Sequence, residues 1–365
     1  MQLKFKNKQF KIMQVADTQE GKNVSPDTLA LLNAAIEKEN PDLVVYSGDQ
    51  IWNIASFKGN KKTVKDVLSK LTEPAHSRNI PFTICFGNHD RQVGVSNEEQ
   101  LEIYKSIPCF VGESAEGVDG CANHVIEISK DGEIKFLLYC IDSHTSLKIG
   151  YDHVHENQLE WYRKVRDSYE EKYGKVIPSI VIQHIPVPEV TELLTEVKKG
   201  TKGAVQGFRN HAGKWYVLDK NKVNSEGFMK ESPADPMTNG GQFDAMAEKG
   251  DVVGIYFGHD HINSFNGKVR GIDVGYTQGA GFHVYGPGLD RGVRMINLND
   301  DGSFETYDLR YRDLVGKKVK EKLLFAFYQL MPTNVYEAFY RAIKVLAIPA
   351  IIALVWFLIE LFKNK

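Results

Sequence analysis

The sequence predicts an α/β fold built on a largely parallel core sheet. Three observations carry that reading. Short apolar, β-rich runs alternate with helical stretches from Phe10 to about Tyr311. Helix-start and turn signals separate them. Five of the apolar runs are followed directly by clusters of Asp, Asn, Gln and His, where open α/β sheets bind their ligands.

The elements follow in order. Lys11–Val15 reads as a strand, and Ser25-Pro26 then opens a helix through Glu39, with Pro at the first helical position. Leu43–Tyr46 is a strand before the helix Lys61–Arg78. Phe82–Phe86 precedes the helix Glu98–Ser106. His124–Ile128 and Lys135–Ile141 are strands, followed by the helix His155–Tyr173 and the strand Ile177–Ile182. Residues 200–240 are rich in Gly, Lys and Asn and read as a long loop. The helix Gln242–Glu248 and the strands Val252–Phe257 and Val293–Leu298 complete the pattern. The later connections are short, which predicts a mixed second sheet.

Composition excludes several classes. The 365 residues carry 45 Lys and Arg against 47 Asp and Glu, a net charge of −2, with 42% hydrophobic and 25% charged residues. That is globular composition with ample material for a core, so disorder and a disulfide mini-scaffold are excluded. The mean hydropathy of −0.32 excludes a polytopic membrane protein. A near-zero net charge gives no support for nucleic acid as a partner. Cys85, Cys109, Cys121 and Cys140 form no Cys-x-x-Cys pair; reduced thiols are the simplest reading, with a Cys109–Cys121 pair as the alternative. The N-terminus lacks the apolar core of a signal peptide, which implies cytosolic synthesis.

The chemistry lies in the five polar clusters. They are Ala16-Asp17-Thr18-Gln19, Ser47-Gly48-Asp49-Gln50, Gly87-Asn88-His89-Asp90, Gln183-His184 and Gly258-His259-Asp260-His261. Asp, Asn and His suit hard or borderline cations. Converging at one sheet edge, they fit a two-metal site in which one carboxylate, Asp49, bridges two ions. Glycines beside the ligands permit tight turns and close approach. His124, His144, His153, His155 and His211 read as structural or solvent-facing, and Tyr151-Asp152 as part of an N-cap region.

This set resembles the calcineurin-like metallophosphoesterase superfamily over roughly residues 9–300. His184-Ile185-Pro186-Val187-Pro188-Glu189, Gly258–Phe265 and Gly279–Gly286 are similar to its branch of yeast cell-cycle-regulator phosphatases and plant purple-acid-phosphatase-like proteins. The resemblance implies a metallophosphoesterase sandwich of two central mixed β-sheets flanked by helices, and two divalent metal ions, Mn, Fe or Zn. It implies Asp17, Asp49 and His261 at the first metal, with Gln19 where many relatives have His. It implies Asp49, Asn88, His184 and His259 at the second. His89 would donate a proton to the leaving oxygen or stabilise charge on the phosphoryl group, with Asp90 orienting it. Asn263 and His283 are candidate substrate contacts, each with loop packing as its other reading. Trp52 stands where purple acid phosphatases carry a metal-binding Tyr, so their colour is not expected. The implied reaction is hydrolysis of a phosphomonoester by a hydroxide bridging the metals. A phosphodiester on the same core is the alternative, and a silent metal-binding scaffold the third reading.

The C-terminal region changes character. Arg310, Arg312, Lys317, Lys318, Lys320 and Lys322 form a basic run before the apolar stretch Leu323–Met331. Val345–Ile359 is apolar apart from Pro349. With the three residues after it, this is about 18 residues, or roughly 27 Å of helix, at the short edge of a membrane span. The expected organisation is therefore a catalytic domain over residues 1–312 and a basic, amphipathic segment with an apolar C-terminal helix over 313–365. That tail is expected to attach a cytoplasmic catalytic domain to an anionic membrane, by spanning it or lying in it. The substrate would then be a phosphorylated, lipid-linked or membrane-proximal molecule. A buried helix at an oligomer interface is the other reading of the tail.

Overall fold

The computed structural model describes residues 2–52, 54–224, 227–333, 337–339 and 341–343. Two mixed sheets stack face to face. A five-stranded sheet orders Phe304–Arg310, Gly292–Asn299, Gln9–Val15, Leu43–Ser47 and Phe82–Cys85, the last three running parallel. An eight-stranded sheet orders Gln2–Lys4, His124–Lys130, Glu133–Cys140, Ser179–Ile182, Val252–Phe257, Ile272–Tyr276, Asn263–Val269 and Phe228–Met229. In it, Glu133–Cys140, Ser179–Ile182, Val252–Phe257 and Ile272–Tyr276 are parallel neighbours.

The two-residue period of a strand sorts the apolar side chains into layers. Phe10, Ile12, Leu43 and Val45 turn inward and meet Ile126, Phe136, Ile180 and Ile182 of the other sheet. Met13, Val15, Val44 and Tyr46 turn outward and pack with Leu31, Leu32, Val64 and Leu68. Those partners lie on the helices Pro26–Glu39 and Lys61–His76. On the far side, Tyr139, Val181 and Ile255 pack with Leu159, Tyr162 and Phe243. The result is the expected sandwich of two central mixed sheets flanked by helices. Local signals agree with it: Ser25 caps the first helix, its hydroxyl accepting from Asp27 N at 3.2 Å. All four cysteines are free thiols.

The region read as a loop over 200–240 is partly folded. Leu194–Glu196, Trp215–Leu218 and Val205–Gln206 form a separate three-stranded sheet. These strands span only two to four residues, so the surrounding Gly and Lys mask them in any composition window. Asn263–Val269 was not expected either, because its residues are polar; its side chains are nonetheless mostly buried. Tertiary context overrides β-propensity there.

The membrane-anchoring tail is corrected. Among the described residues no helix is long and apolar enough to cross a membrane. The apolar run Val345–Ile359 lies outside the described residues. The described part of the tail folds back on the sandwich instead. The buried Asp27 carboxylate accepts from the backbone of Lys320 at 2.9 Å and of Glu321 at 3.2 Å. The short helix Lys322–Gln329 then packs Phe325 against Phe282.

Candidate metal centre

Parallel strands of both sheets end at one edge, and the five polar clusters meet there. Asp17 follows Gln9–Val15, Asp49 follows Leu43–Ser47, and Asn88 and His89 follow Phe82–Cys85. His184 follows Ser179–Ile182, and His259 and His261 follow Val252–Phe257. Backbone bonds extend the pairing past the strand ends: Gln19 N donates to Asp49 O at 2.8 Å, and Gly258 N to His184 O at 3.2 Å. Asp17, Gln19, Asp49 and His259 all hold positive φ, of 51°, 41°, 53° and 73°. Non-glycine residues avoid that region, and such strain concentrates at functional sites.

The motif glycines supply volume as much as turn geometry. A Cβ on Gly48 would lie 2.4 Å from His184 Nδ1, one on Gly87 2.2 Å from Asp49 Oδ1, and one on Gly258 2.5 Å from Asp17 Oδ2. Each glycine vacates the space that a neighbouring loop's ligand occupies.

Asp17, Asp49 and His184 are buried and offer ligand atoms within 4.8 Å of one another. His184 Nε2 is 3.4 Å from Asp49 Oδ2 and 4.0 Å from Asp17 Oδ1. His261 Nε2 lies 3.4 Å from Asp17 Oδ1. Asn88 Oδ1 is 3.2 Å from His184 Nε2, and His259 Nδ1 is also 3.2 Å from it. The Gln19 amide nitrogen reaches Asp49 Oδ2 at 2.9 Å and His261 Nε2 at 3.3 Å. His184 Nδ1 donates to Ser47 O at 3.0 Å, and His261 Nδ1 to Tyr285 O at 3.0 Å. Those bonds fix the tautomers and turn both Nε2 atoms to the carboxylates, as metal-ligating imidazoles require.

The electrostatics are those of a cation site. Burial pulls the His184 ring down, but Asp49 and Asp17 more than offset it and raise its pKa to about 10. His261 is raised too, Asp17 outweighing burial. His259 is pushed well below its usual range by burial and by the neighbouring His184 charge. Burial would raise Asp49, yet His184 and His89 hold it well below the carboxylate range. Among the candidate metal ligands, two buried atoms are left without a hydrogen bond, Asp17 Oδ1 and His259 Nε2. Buried polar atoms without partners call for a water or an ion, and an oxygen and an imidazole nitrogen are both ligands for borderline divalent metals. The residues present fit two such ions.

His89 stands at the rim, its side chain 29% exposed and its Nε2 4.0 Å from Asp49 Oδ2. The expected orienting role of Asp90 is corrected. Asp90 is fully buried, and its oxygens accept from the backbone of Asp49, Gln50, Ile51 and Gly87 at 2.7 to 3.1 Å. It clamps the Asp49 loop and has no capacity left for His89. Gln92 holds the ring instead. Its Nε2 donates to Asn88 O at 3.2 Å, which leaves Oε1 to accept from His89 Nδ1 at 2.9 Å. The Trp52 ring lies 5.2 Å from the imidazole.

Asn263 is also corrected as a substrate contact. It is fully buried, and its Oδ1 accepts from Lys230 N at 3.0 Å and Glu231 N at 3.2 Å. His283 lines a cleft of about 190 Å³ with Gln19, Trp52 and Tyr328. It lies 3.3 Å from Glu20 Oε2 and 2.8 Å from Glu321 Oε2. Burial opposes its charge, but the two carboxylates win and raise its pKa to about 9.

Several residues around the site went unassigned in the sequence. Gln92 sits one short turn past His89, a spacing that signals it. Tyr285 stacks on His261 at 4.2 Å and 7°, and its hydroxyl donates to the buried Glu231 at 3.1 Å. Tyr151 is not part of a helix cap: the helix Glu156–Tyr173 is capped at His155, and the Tyr151 ring meets His259 edge-on at 4.3 Å.

Comparison with known proteins gives the chain's family and supports its fold. A family model described as calcineurin-like phosphoesterase matches residues 10–263. The chain is 27% identical over 328 residues to an Arabidopsis thaliana protein named "Probable inactive purple acid phosphatase 14", covering 79% of this chain and 74% of that one. It is 26% identical over 285 residues to the Saccharomyces cerevisiae protein "Phosphatase DCR2", covering 70% of this chain and 44% of that one. In fold it is similar to a dimetal phosphatase from Danio rerio, with a TM-score of 0.50 and 13% identity, covering 83% of this chain and 99% of that one. The chain belongs to the calcineurin-like phosphoesterase family.

Proposed function

We propose that this chain hydrolyses a phosphomonoester at a dinuclear metal centre. The observation that carries the reading is the buried cradle of Asp17, Asp49 and His184, with Asp17 Oδ1 and His259 Nε2 unspent beside it. Asp17, Asp49 and His261 would hold one ion, with Gln19 beside them. Asp49, Asn88, His184 and His259 would hold the other. Ions of Mn, Fe or Zn bound there would supply Lewis-acid activation of water and of the phosphoryl oxygens.

The chain's own residues then do the rest. His89 is in position to carry the proton for the leaving oxygen. Gln92 occupies its Nδ1, so the transferable proton sits at Nε2. Trp52 packs against the ring and restricts its rotation. Asp90 fixes the loop that aims Asp49, and Tyr285 fixes His261. These are positioning contacts; no bond to substrate is needed for them to act.

A phosphodiester is the alternative substrate class, because the same metal core serves either ester. A silent scaffold is favoured by two particulars: the word "inactive" in the plant relative's name, and Gln19 in place of an imidazole. Against it stands a complete remaining inventory with His89 in place. The test is turnover of p-nitrophenyl phosphate and bis(p-nitrophenyl) phosphate by the metal-loaded full chain, beside His89→Ala. Expected is monoester turnover that falls about 10²–10⁴-fold in the variant at unchanged metal content. Preference for the diester would transfer the assignment to that class. Two bound ions with no turnover of either ester would favour the scaffold.

A further inference from the structure

The small sheet between residues 194 and 218 brings a guanidinium to the edge of the metal centre that none of the motifs includes. Its strands frame the turn Arg209–His211. That turn is pinned from the facing segment: His211 Nε2 lies 2.6 Å from Asp235 Oδ1, and Asn210 Nδ2 donates to Pro236 O at 2.8 Å. Arg209 is held at a φ of 50°. A non-glycine residue persists in that region only where its surroundings enforce it.

The Arg209 guanidinium lies over the Tyr151 ring at 4.2 Å, and that ring abuts His259 at 4.3 Å. One aromatic ring therefore separates the cation from a candidate metal ligand. Its Nη1 is shielded from solvent and has no hydrogen-bond partner among the described residues. Packing on Tyr151 alone would require neither a strained backbone nor a donor left unspent. A planar fork of N–H donors matches phosphoryl oxygens and strengthens when the acceptor is ionised. Stacking on a rigid ring orders the side chain before the ligand arrives, which lowers the cost of binding.

We propose that Arg209 is the anion-binding arm of this site, holding oxygens of the substrate's phosphoryl group and of product phosphate, with Tyr151 as its platform. The inference rests on the phosphoesterase reading and assigns it a residue that the metal-binding motifs do not supply. No covalent step is involved.

The test uses the full chain loaded with Mn²⁺, with metal content measured for each variant. Arg209→Met and Arg209→Lys are compared with wild type in p-nitrophenyl phosphate hydrolysis and in calorimetric binding of inorganic phosphate. Expected in Arg209→Met is a rise of about tenfold in both KM and the phosphate Kd, equivalent to about 1.4 kcal/mol, with a smaller change in kcat. Arg209→Lys keeps the charge without the fork and should recover part of the loss; it also carries the test if the Met variant fails to fold. Unchanged KM and phosphate Kd, or a loss confined to kcat, would overturn the assignment while leaving the phosphoesterase reading intact. If wild type binds two ions and turns nothing over, that reading fails, and phosphate calorimetry still decides Arg209. A tenfold weaker Kd in the variant then supports the arm; equal affinities, or no phosphate binding by wild type, overturn it.

Discussion

Among the described residues, two clusters bring three metal-ligating atoms within 4.8 Å of one another: those of Asp17, Asp49 and His184, and also those of His144, Asp152 and His155. By residue type they look interchangeable. By environment they do not. The first is buried, and two atoms at its edge lack partners. The second is half-exposed, and three of its four imidazole nitrogens already face a polar partner. His155 Nδ1 is 2.8 Å from Asp119 Oδ2, His155 Nε2 is 3.3 Å from Asp152 Oδ1, and His144 Nε2 is 2.7 Å from Gln158 Oε1. Its two rings also stack nearly parallel, 4.0 Å apart at 19°, so their lone pairs do not converge on one point. His155 moreover caps the N-terminus of a helix, where the backbone dipole disfavours a cation. Ligand type and proximity make a cluster; unspent valence, burial and convergence make a site.

The comparison breaks most sharply at Asp49. Asp49→Asn should bind fewer ions than wild type and lose on the order of 10²–10³-fold or more in kcat/KM. His155→Gln should keep the wild-type ion count. Elemental analysis of both variants, run beside turnover, checks the pair. Equal ion loss in the two would make the clusters equivalent after all.

A smaller effect is expected where only space is at stake. In Gly258→Ala the new Cβ falls 2.5 Å from Asp17 Oδ2 and 2.7 Å from Ala16 Cβ. Displacing Asp17 without removing it should cost about 10–100-fold in metal affinity. A competition titration with a chelator reads this directly. Wild-type affinity in the variant would mean that the cradle tolerates motion its packing does not suggest.

The gentlest probe is pH. In the metal-free chain His184 has its pKa raised from 6.5 to about 10, because Asp49 and Asp17 overcome burial. Since the folded value is the higher one, this ion pairing contributes fully to stability below pH 6.5 and is lost as pH rises through about 10. A bound divalent ion must displace that proton. Apparent metal affinity should therefore climb between pH 6.5 and 8.5, by about tenfold per unit for each proton displaced. A flat profile would show that His184 is not a ligand.

Much of the site is legible in the chain because each ligand is tied to a strand end by one or two residues. Asp17, Asp49, Asn88, His184 and His259 each follow an apolar run within a few positions, and parallel strands of one edge deliver their ends to one place. Local order in sequence thus translates directly into spatial convergence. The residues that tune those ligands are not legible in this way. Asp90 reads as a partner of its neighbour His89, yet its oxygens lie against three backbone amides of the Asp49 loop and one of its own. Asn263 reads as a pocket residue because it follows His261, yet it turns into the interior and ties down Lys230 and Glu231. A side chain's direction at a loop is set by what packs against it, and sequence spacing carries no record of that.

The sequence by itself determined the alternation of strands and helices, the positions of the main strands along the chain and the residue types at the metal-binding edge. It did so because strand periodicity and short loops are local properties of the chain. Only the tertiary structure decided which carboxylate clamps a loop and which imidazole keeps a free nitrogen. It also decided that Gln92 rather than Asp90 holds His89, and that the tail from Arg310 to Glu321 folds back onto Asp27. Apart from the local Gln92–His89 pair, those outcomes depend on contacts between residues tens to hundreds of positions apart, where the deciding quantity is who reaches whom in space.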